Sequence, residues 1–396
     1  MCNRTVFEGR VESISFSGGV IRFDGRAFFV PFACPGDVIR ARTVNGQKHA
    51  AQLVEIIEPS PNRADPPCAL FGICGGCTLQ HIAYAEQIEQ KRKLVADSLR
   101  RIGGLDTPPA MTMVTSPPYG YRNRVELHTD GRITGFKQAK SAKIIPAPVC
   151  PAAVPVIRDY LRIAAQPSRA RKGLPIQPPA RYAVYGFDDR LAVEGSRAEK
   201  LFVPGLGITM DARLFFQSNL ALQTRLVADV AAAAGEGEAA ADLYCGVGAF
   251  ARPLSARFQK LCLVEENPAA IALARENLRN TPAAAEYYAL SLEKYCAMLD
   301  QNTERPAPRW DAAVVDPPRE GLSPPLTRLL IRLQTPRLVY VSCNPVTLAR
   351  DLKRLLDGGY TLDSITCYDF YPQTLHLESL ALLTHLPWRR NGGVVQ

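Results

Sequence analysis

The chain has 396 residues, 47% of them hydrophobic and 21% charged, the composition of an ordinary globular protein long enough for two or three domains with their own cores. No stretch approaches the roughly 18 uninterrupted apolar residues that a membrane span needs, so a membrane-embedded chain is excluded. The formal charge of +9 is unevenly placed: residues 1–200 carry 28 Lys and Arg against 18 Asp and Glu, and residues 201–396 carry 19 against 20. That asymmetry predicts a first half that holds a polyanion through phosphate contacts and a near-neutral second half that does chemistry.

From the N-terminus, Met1-Cys-Asn-Arg-Thr-Val has no apolar leader, so a cytoplasmic protein is expected. Residues 6–58 read as short strands punctuated by glycine, asparagine and proline: Val6-Phe-Glu-Gly-Arg-Val, Gly19-Val-Ile-Arg-Phe, Ala27-Phe-Phe-Val-Pro, Asp37-Val-Ile-Arg-Ala-Arg and Ala50 to Ile57. They fit a small antiparallel barrel. After the joint Pro59-Ser-Pro61 comes a cysteine cluster. A helix follows from Tyr84 to Ile102, with Ile88, Leu94, Val95, Leu99 and Ile102 at helical spacing and Gly103-Gly104 as its stop. Strand-like segments at Tyr121–Leu127, Arg132–Phe136 and Tyr182–Tyr185 suggest a second, mixed α+β domain, and the Pro- and Arg-rich stretch 166–179 reads as an exposed loop.

From about Gly205 strands alternate with helices, the pattern of a parallel sheet in an open α/β fold. The expected strands are Ala241–Cys245, Leu261–Glu265, Glu286–Leu290, Ala312–Asp316 and Leu338–Ser342, with helices such as Ala269–Leu278 and Pro345–Leu356 between them. Leu362–Phe370 and Leu377–His385 close the chain as a hairpin.

Eleven cysteines, an odd number, argue for metal ligands, nucleophiles or buried apolar residues rather than a disulfide framework. Cys68, Cys74 and Cys77 stand at x5 and x2 spacing among glycines, with Cys150 as the obvious fourth ligand. Spacing alone does not choose zinc over an iron–sulfur cluster. Tyr119-Gly-Tyr121-Arg122-Asn-Arg124 interleaves aromatics with arginines, as stacking and phosphate contact on unpaired nucleic acid would require.

Asp242-Leu-Tyr244-Cys-Gly246-Val-Gly248-Ala-Phe-Ala251 turns a strand tightly into a helix so that backbone can approach a nucleotide-like ligand, and Glu265, ending the next strand, is placed for ribose hydroxyls. A nicotinamide or flavin cofactor satisfies that fingerprint equally. Asp316-Pro-Pro-Arg319 puts a carboxylate at the same sheet edge, and Ser342-Cys343-Asn-Pro345 puts a thiol there, ahead of a helix whose positive N-terminal end would lower its pKa. In a terminal hairpin, Glu378 would start an antiparallel strand near Cys343 and Asp316, with His376 as a competitor.

Together the cysteine cluster, Phe216-Gln217-Ser-Asn219, Asp316-Pro-Pro-Arg319, Ser342-Cys343-Asn-Pro345 and His376-Leu-Glu378 resemble the S-adenosylmethionine-dependent RNA 5-methyluridine methyltransferases, in the iron–sulfur branch that modifies 23S ribosomal RNA. The resemblance covers nearly the whole chain. It implies a TRAM-like RNA-binding barrel over residues 1–58, a central RNA-binding domain with a [4Fe–4S] cluster on Cys68, Cys74, Cys77 and Cys150 over residues 59–204, and a Rossmann-like class I methyltransferase domain over residues 205–396. Gln217, Tyr244, Gly246, Glu265 and Asp316 would bind S-adenosylmethionine, Cys343 would be the nucleophile and Glu378 the base. Ala249 and Ser291 stand where relatives carry asparagine. A monomer acting on RNA, foremost ribosomal RNA, is implied, with no membrane partner. The alternatives are a transfer RNA uridine-5 methyltransferase, an iron–sulfur redox enzyme with a dinucleotide cofactor, a cytosine methyltransferase and a non-catalytic RNA-binding module.

Overall fold

The computed structural model describes residues 5–166, 181–301 and 306–385; the expected loop at 166–179 lies, from residue 167 onward, outside the described residues. Among these, no helix is long and apolar enough to cross a membrane. Contacts divide the chain into two compact units, one of residues 1–94, 116–198 and 371–376 and one of residues 95–115, 199–370 and 377–396.

In the first unit, the strands Val6–Ser15, Gly18–Phe23, Arg26–Val30, Val38–Thr43 and Ala51–Glu58 form an antiparallel sheet with the order third, second, first, fourth, fifth. Phe29 N–H donates to His49 O at 2.7 Å, and a bridge from Phe29 to Ala50 brings the two edges together, closing the sheet into a small barrel. Phe7, Val11, Ile21, Val30 and Ile39 fill it, the inward set that a two-residue period dictates. Asp37 ties the barrel to the following joint. Burial opposes its ionisation, but hydrogen bonds from Arg63 and from the Ser60 and Cys34 amides outweigh that cost and hold its carboxyl below the usual range. A second antiparallel sheet runs Arg190–Val193, Arg181–Phe187, Arg124–Thr129, Thr134–Lys137, Ile144–Ile145. The helix Pro155–Ala164 lays Ile157, Tyr160, Leu161 and Ala164 against Val125, Leu127, Tyr182 and Val184.

The second unit is built on an eight-stranded sheet in the order Ala284–Tyr288, Phe258–Val264, Gly237–Leu243, Ala312–Val315, Arg337–Ser342, Glu378–Thr384, Thr361–Tyr368, Met111–Val114. The first five are parallel, and Glu378–Thr384 runs antiparallel to both neighbours. Every residue of Ala312–Val315 is buried, as expected of a parallel strand covered on both faces. The outermost strand, Met111–Val114, is an addition that the sequence reading left unassigned. Helices Leu220–Ala234, Pro268–Asn277 and Pro345–Asp357 each start behind an asparagine, Asn219, Asn267 and Asn344, whose side chain accepts an amide hydrogen of the first turn. The chain moves from Gly237–Leu243 outward to one side and then crosses to Ala312–Val315 on the other, so a topological switch point lies at the carboxyl end of Gly237–Leu243, where open α/β sheets bind ligands.

Candidate active site

At that switch point the backbone of Tyr244 takes a left-handed φ of 71°, an uncommon and strained choice for a bulky residue. Its N–H and that of Cys245 both donate to Val264 O, at 2.9 and 3.1 Å, which locks the turn to the neighbouring strand. Gly246 has φ 53° and nothing within 4 Å of where a Cβ would stand, so the turn leaves open space for a ligand to approach backbone. Glu265 caps this cradle: its Oε2 accepts Gly246 N–H at 3.1 Å and its Oε1 accepts Asn267 N–H at 2.8 Å.

Across the switch point stand Asp316, Cys343 and Glu378. Glu378 is 1% exposed, Gln217 donates a hydrogen bond to it, and its Oε2 has no partner. Burial, then the charge of Asp316, pushes its carboxyl well above the usual range, while Gln217 and Arg319 pull the other way. Burial likewise pushes Asp316 up to about 7. The Cys343 thiol is pushed up to about 12, by burial first and then by the charges of Glu378 and Asp316, with Arg319 opposing. This corrects the expectation of a depressed thiol. The helix Pro345–Asp357 does begin beside Cys343, but its end field is outweighed by desolvation and two carboxylates from distant strands.

The Asp-Pro-Pro-Arg loop is fixed by the helix behind Cys343. Arg319 O accepts hydrogen bonds from Asn344 Nδ2 at 3.0 Å and Thr347 Oγ1 at 3.1 Å, and Glu320 O accepts one from Arg350 at 2.7 Å. Buried Asp351 accepts from Leu322 N–H at 2.8 Å and from Tyr340 Oη at 2.9 Å. Gly321, at φ 78°, lies so close that a Cβ there would stand 2.3 Å from Asp351 Oδ2; no other residue fits.

Sequence reasoning quoted Asp242 and Arg319 inside their motifs but gave neither a role. Asp242 is 1% exposed, neither of its oxygens has a hydrogen-bond partner, and burial followed by the charge of Asp316 pushes it up to about 8. An acid ending a strand immediately before a glycine-rich turn was the available signal. His376 does not join the group: it belongs to the first unit, where its ring packs 5.3 Å from Phe16 and 6.2 Å from Tyr371. Ser291 caps the helix Leu292–Gln301 by accepting Lys294 N–H at 3.3 Å. In the proposed RNA-contacting stretch, Tyr121 is 8% exposed and donates to Pro372 O at 2.9 Å, so its ring is not presented for stacking.

In the first unit Cys68, Cys74, Cys77 and Cys150 are free and half-buried. Burial raises the thiols of Cys74, Cys77 and Cys150, and the charges of neighbouring cysteines in the set add to it; the four therefore share one electrostatic neighbourhood. Among the described residues no three or more His, Cys, Asp or Glu side chains are grouped to hold a metal ion. The sulfurs are thus not drawn around a single tetrahedral centre, the arrangement that a zinc site would require.

The profile of the tRNA (Uracil-5-)-methyltransferase family matches residues 209–386. An uncharacterized RNA methyltransferase of Gloeobacter violaceus is 30% identical, over 92% of this chain and 93% of its own. The 23S rRNA (uracil(1939)-C(5))-methyltransferase RlmD of Edwardsiella ictaluri is also 30% identical, over 93% of each chain. Among solved structures, the Pyrococcus abyssi tRNA (uracil-54, C5)-methyltransferase in complex with S-adenosyl-L-homocysteine superposes with a TM-score of 0.72 at 26% identity, covering 96% of this chain and 100% of that one. With its switch-point cradle and its matches along nearly the full chain, the protein belongs to the S-adenosylmethionine-dependent RNA (uracil-5-)-methyltransferase family.

Proposed function

We propose that the protein methylates a uridine of 23S ribosomal RNA through a covalent adduct on Cys343, with Glu378 as the base. One observation carries the reading. Cys343, Asp316 and Glu378 act on one another at the carboxyl edge of the sheet, and Glu378 keeps one oxygen unpartnered. Carbon-5 of uracil is a weak nucleophile. Cys343, after giving its proton to a neighbouring carboxylate or water, adds through Sγ to carbon-6, and the displaced π electrons form an enolate. S-adenosylmethionine, a substrate of the reaction, supplies its sulfonium methyl to carbon-5 and leaves as S-adenosylhomocysteine. Glu378 Oε2 removes the carbon-5 proton, and the electron pair left behind expels Cys343 and restores the 5,6 double bond. The acidic cluster of Asp242, Asp316 and Glu378 fits a cationic donor, whose charge would offset the carboxylates that hold the Cys343 thiol up. Gln217 orients Glu378, while Tyr244, Gly246 and Glu265 form the nucleoside cradle. The uracil must leave its stack to reach these groups.

The five-stranded barrel serves as a TRAM-like RNA-binding domain, and the basic central region holds the phosphates. Four half-buried thiols spread beyond the reach of a single ion suit a [4Fe–4S] cluster, in which each iron takes one thiolate. The relative from Edwardsiella ictaluri favours a ribosomal substrate; the fold of the Pyrococcus abyssi enzyme favours transfer RNA as the second reading. Tritium release from carbon-5-labelled uridine in unmodified ribosomal and transfer RNA transcripts separates them. Release from ribosomal RNA alone supports the proposal. Release from transfer RNA alone overturns the substrate, and release from neither overturns the reading.

A further inference from the structure

Arg122 sits in the stretch whose arginines were expected to face RNA, yet its head group is turned into the cysteine neighbourhood. A Cβ built on Gly76 would stand 3.6 Å from Cys74 Sγ and 3.8 Å from Arg122 Nη1, so sulfur and guanidinium flank the same point. The side chain is aimed there by its own Nε, which donates to Arg124 O at 3.0 Å. Its backbone is zipped to the loop that carries Cys150: Arg122 N–H donates to Ala152 O at 2.8 Å, and Val154 N–H donates to Arg122 O at 3.0 Å. The charge of Arg122 acts on the thiols of Cys74, Cys77 and Cys150 alike. Arg124 behaves differently, donating to Tyr185 Oη at 2.6 Å and lying 5.5 Å over that ring.

A half-buried guanidinium is normally matched by a carboxylate, because an uncompensated charge costs free energy in a partly desolvated site. Among the described residues Arg122 makes no ion pair with a carboxylate, and the groups gathered around it are thiols. Neutral thiols do not balance a cation; thiolates ligating a metal cluster, with net negative charge, do. We infer that Arg122 is the built-in counter-cation of an anionic cluster held by Cys68, Cys74, Cys77 and Cys150, screening the repulsion among the thiolates and raising the reduction potential of the cluster. The inference rests on the cluster reading above and adds a residue to it. Reduction makes such a cluster more negative, so removing the cation disfavours the reduced state.

The test compares the full-length protein with Arg122→Gln and Arg122→Lys, all purified anaerobically. Iron and acid-labile sulfide per chain, the rate of iron loss to a chelator, and the midpoint potential by electron paramagnetic resonance are measured, with circular dichroism to establish folding. Arg122→Gln should lose iron about tenfold faster, with a lower potential, as one unscreened contact predicts, and Arg122→Lys should recover most of both. Wild-type protein without iron and sulfide would overturn the cluster reading itself. A wild-type cluster whose retention and potential are the same in both variants would leave that reading standing and overturn the role of Arg122. Should Arg122→Gln not fold, Arg122→Lys decides: loss as severe as that of a charge-neutral Arg122→Met overturns the electrostatic account.

Discussion

Asp242→Asn should make the ligand-free enzyme more stable at neutral pH and less stable in acid. In the folded chain Asp242 keeps its proton up to about pH 8, against 3.8 for an unperturbed aspartate. Between those values the unfolded chain has released a proton that the folded chain still holds. The folded state therefore binds more protons, and stability falls as pH rises through this window. At about 1.4 kcal/mol per pH step the penalty approaches about 4 kcal/mol at pH 7. Asparagine removes it, at the cost of leaving a buried amide without partners where both carboxyl oxygens already lack them, about 1–3 kcal/mol. A net gain of about 1–3 kcal/mol at pH 7 follows from these two magnitudes. Near pH 4 aspartate is largely neutral in both states, the gain vanishes, and the asparagine cost remains. Urea denaturation of both proteins from pH 4 to pH 8 should give stability curves that cross. Parallel curves, or a variant less stable at every pH, would refute the claim that a buried, uncompensated acid is stored at the switch point. The same substitution should weaken S-adenosylmethionine binding, so that stability is gained where affinity is lost.

Cys343→Ala should abolish turnover and the RNA adduct seen on denaturing gels, and residual methylation at the normal rate would remove Cys343 from the chemistry. Glu378→Gln should slow loss of the carbon-5 proton by about 10²–10⁴ and accumulate the adduct; product release at the wild-type rate would show that another group is the base. Because Asp316 and Asp242 are held up to about 7 and about 8, a sulfonium must expel protons from them to find carboxylates. S-adenosylmethionine affinity should therefore rise from pH 6 to pH 8, more steeply than that of S-adenosylhomocysteine, whose sulfur is neutral; calorimetry in buffers of different ionisation enthalpy reads the proton release, and equal slopes would count against the cluster. Asp351→Asn removes the charge that pins Leu322 and Arg350, and should cost about 2–4 kcal/mol in a denaturant melt while lowering kcat through the loosened Arg319 loop; an unchanged kcat would confine Asp351 to stability.

What the sequence could show was whatever lies at the end of a strand and follows directly in the chain. Asp316 and Cys343 were placed from the strands they terminate, and Glu378 from the reversal that a terminal hairpin imposes, which the register of Ser342 against Ser379 realises. What it could not show was the effect of one strand end on another. The helix after Cys343 argued locally for a depressed thiol, while the groups that reverse the direction, Asp316 and Glu378, lie 27 residues before it and 35 after it in the sequence. The helix Tyr84–Arg101 carries the same lesson in packing. Apolar spacing marked Val95 and Leu99, which are buried, and also Ile102, which is 39% exposed, yet it passed over Gln87, Gln90 and Lys91, which are buried as deeply as any apolar residue. Their partners explain why. Lys91 Nζ donates to Tyr371 O at 3.1 Å and to His376 O at 2.9 Å, and Gln87 exchanges hydrogen bonds with Gln373 at 3.0 Å in each direction. A loop nearly 300 residues away in sequence presents carbonyls that must be satisfied once buried. The helix buries a polar stripe to satisfy them, and hydrophobic periodicity has no means of registering that demand.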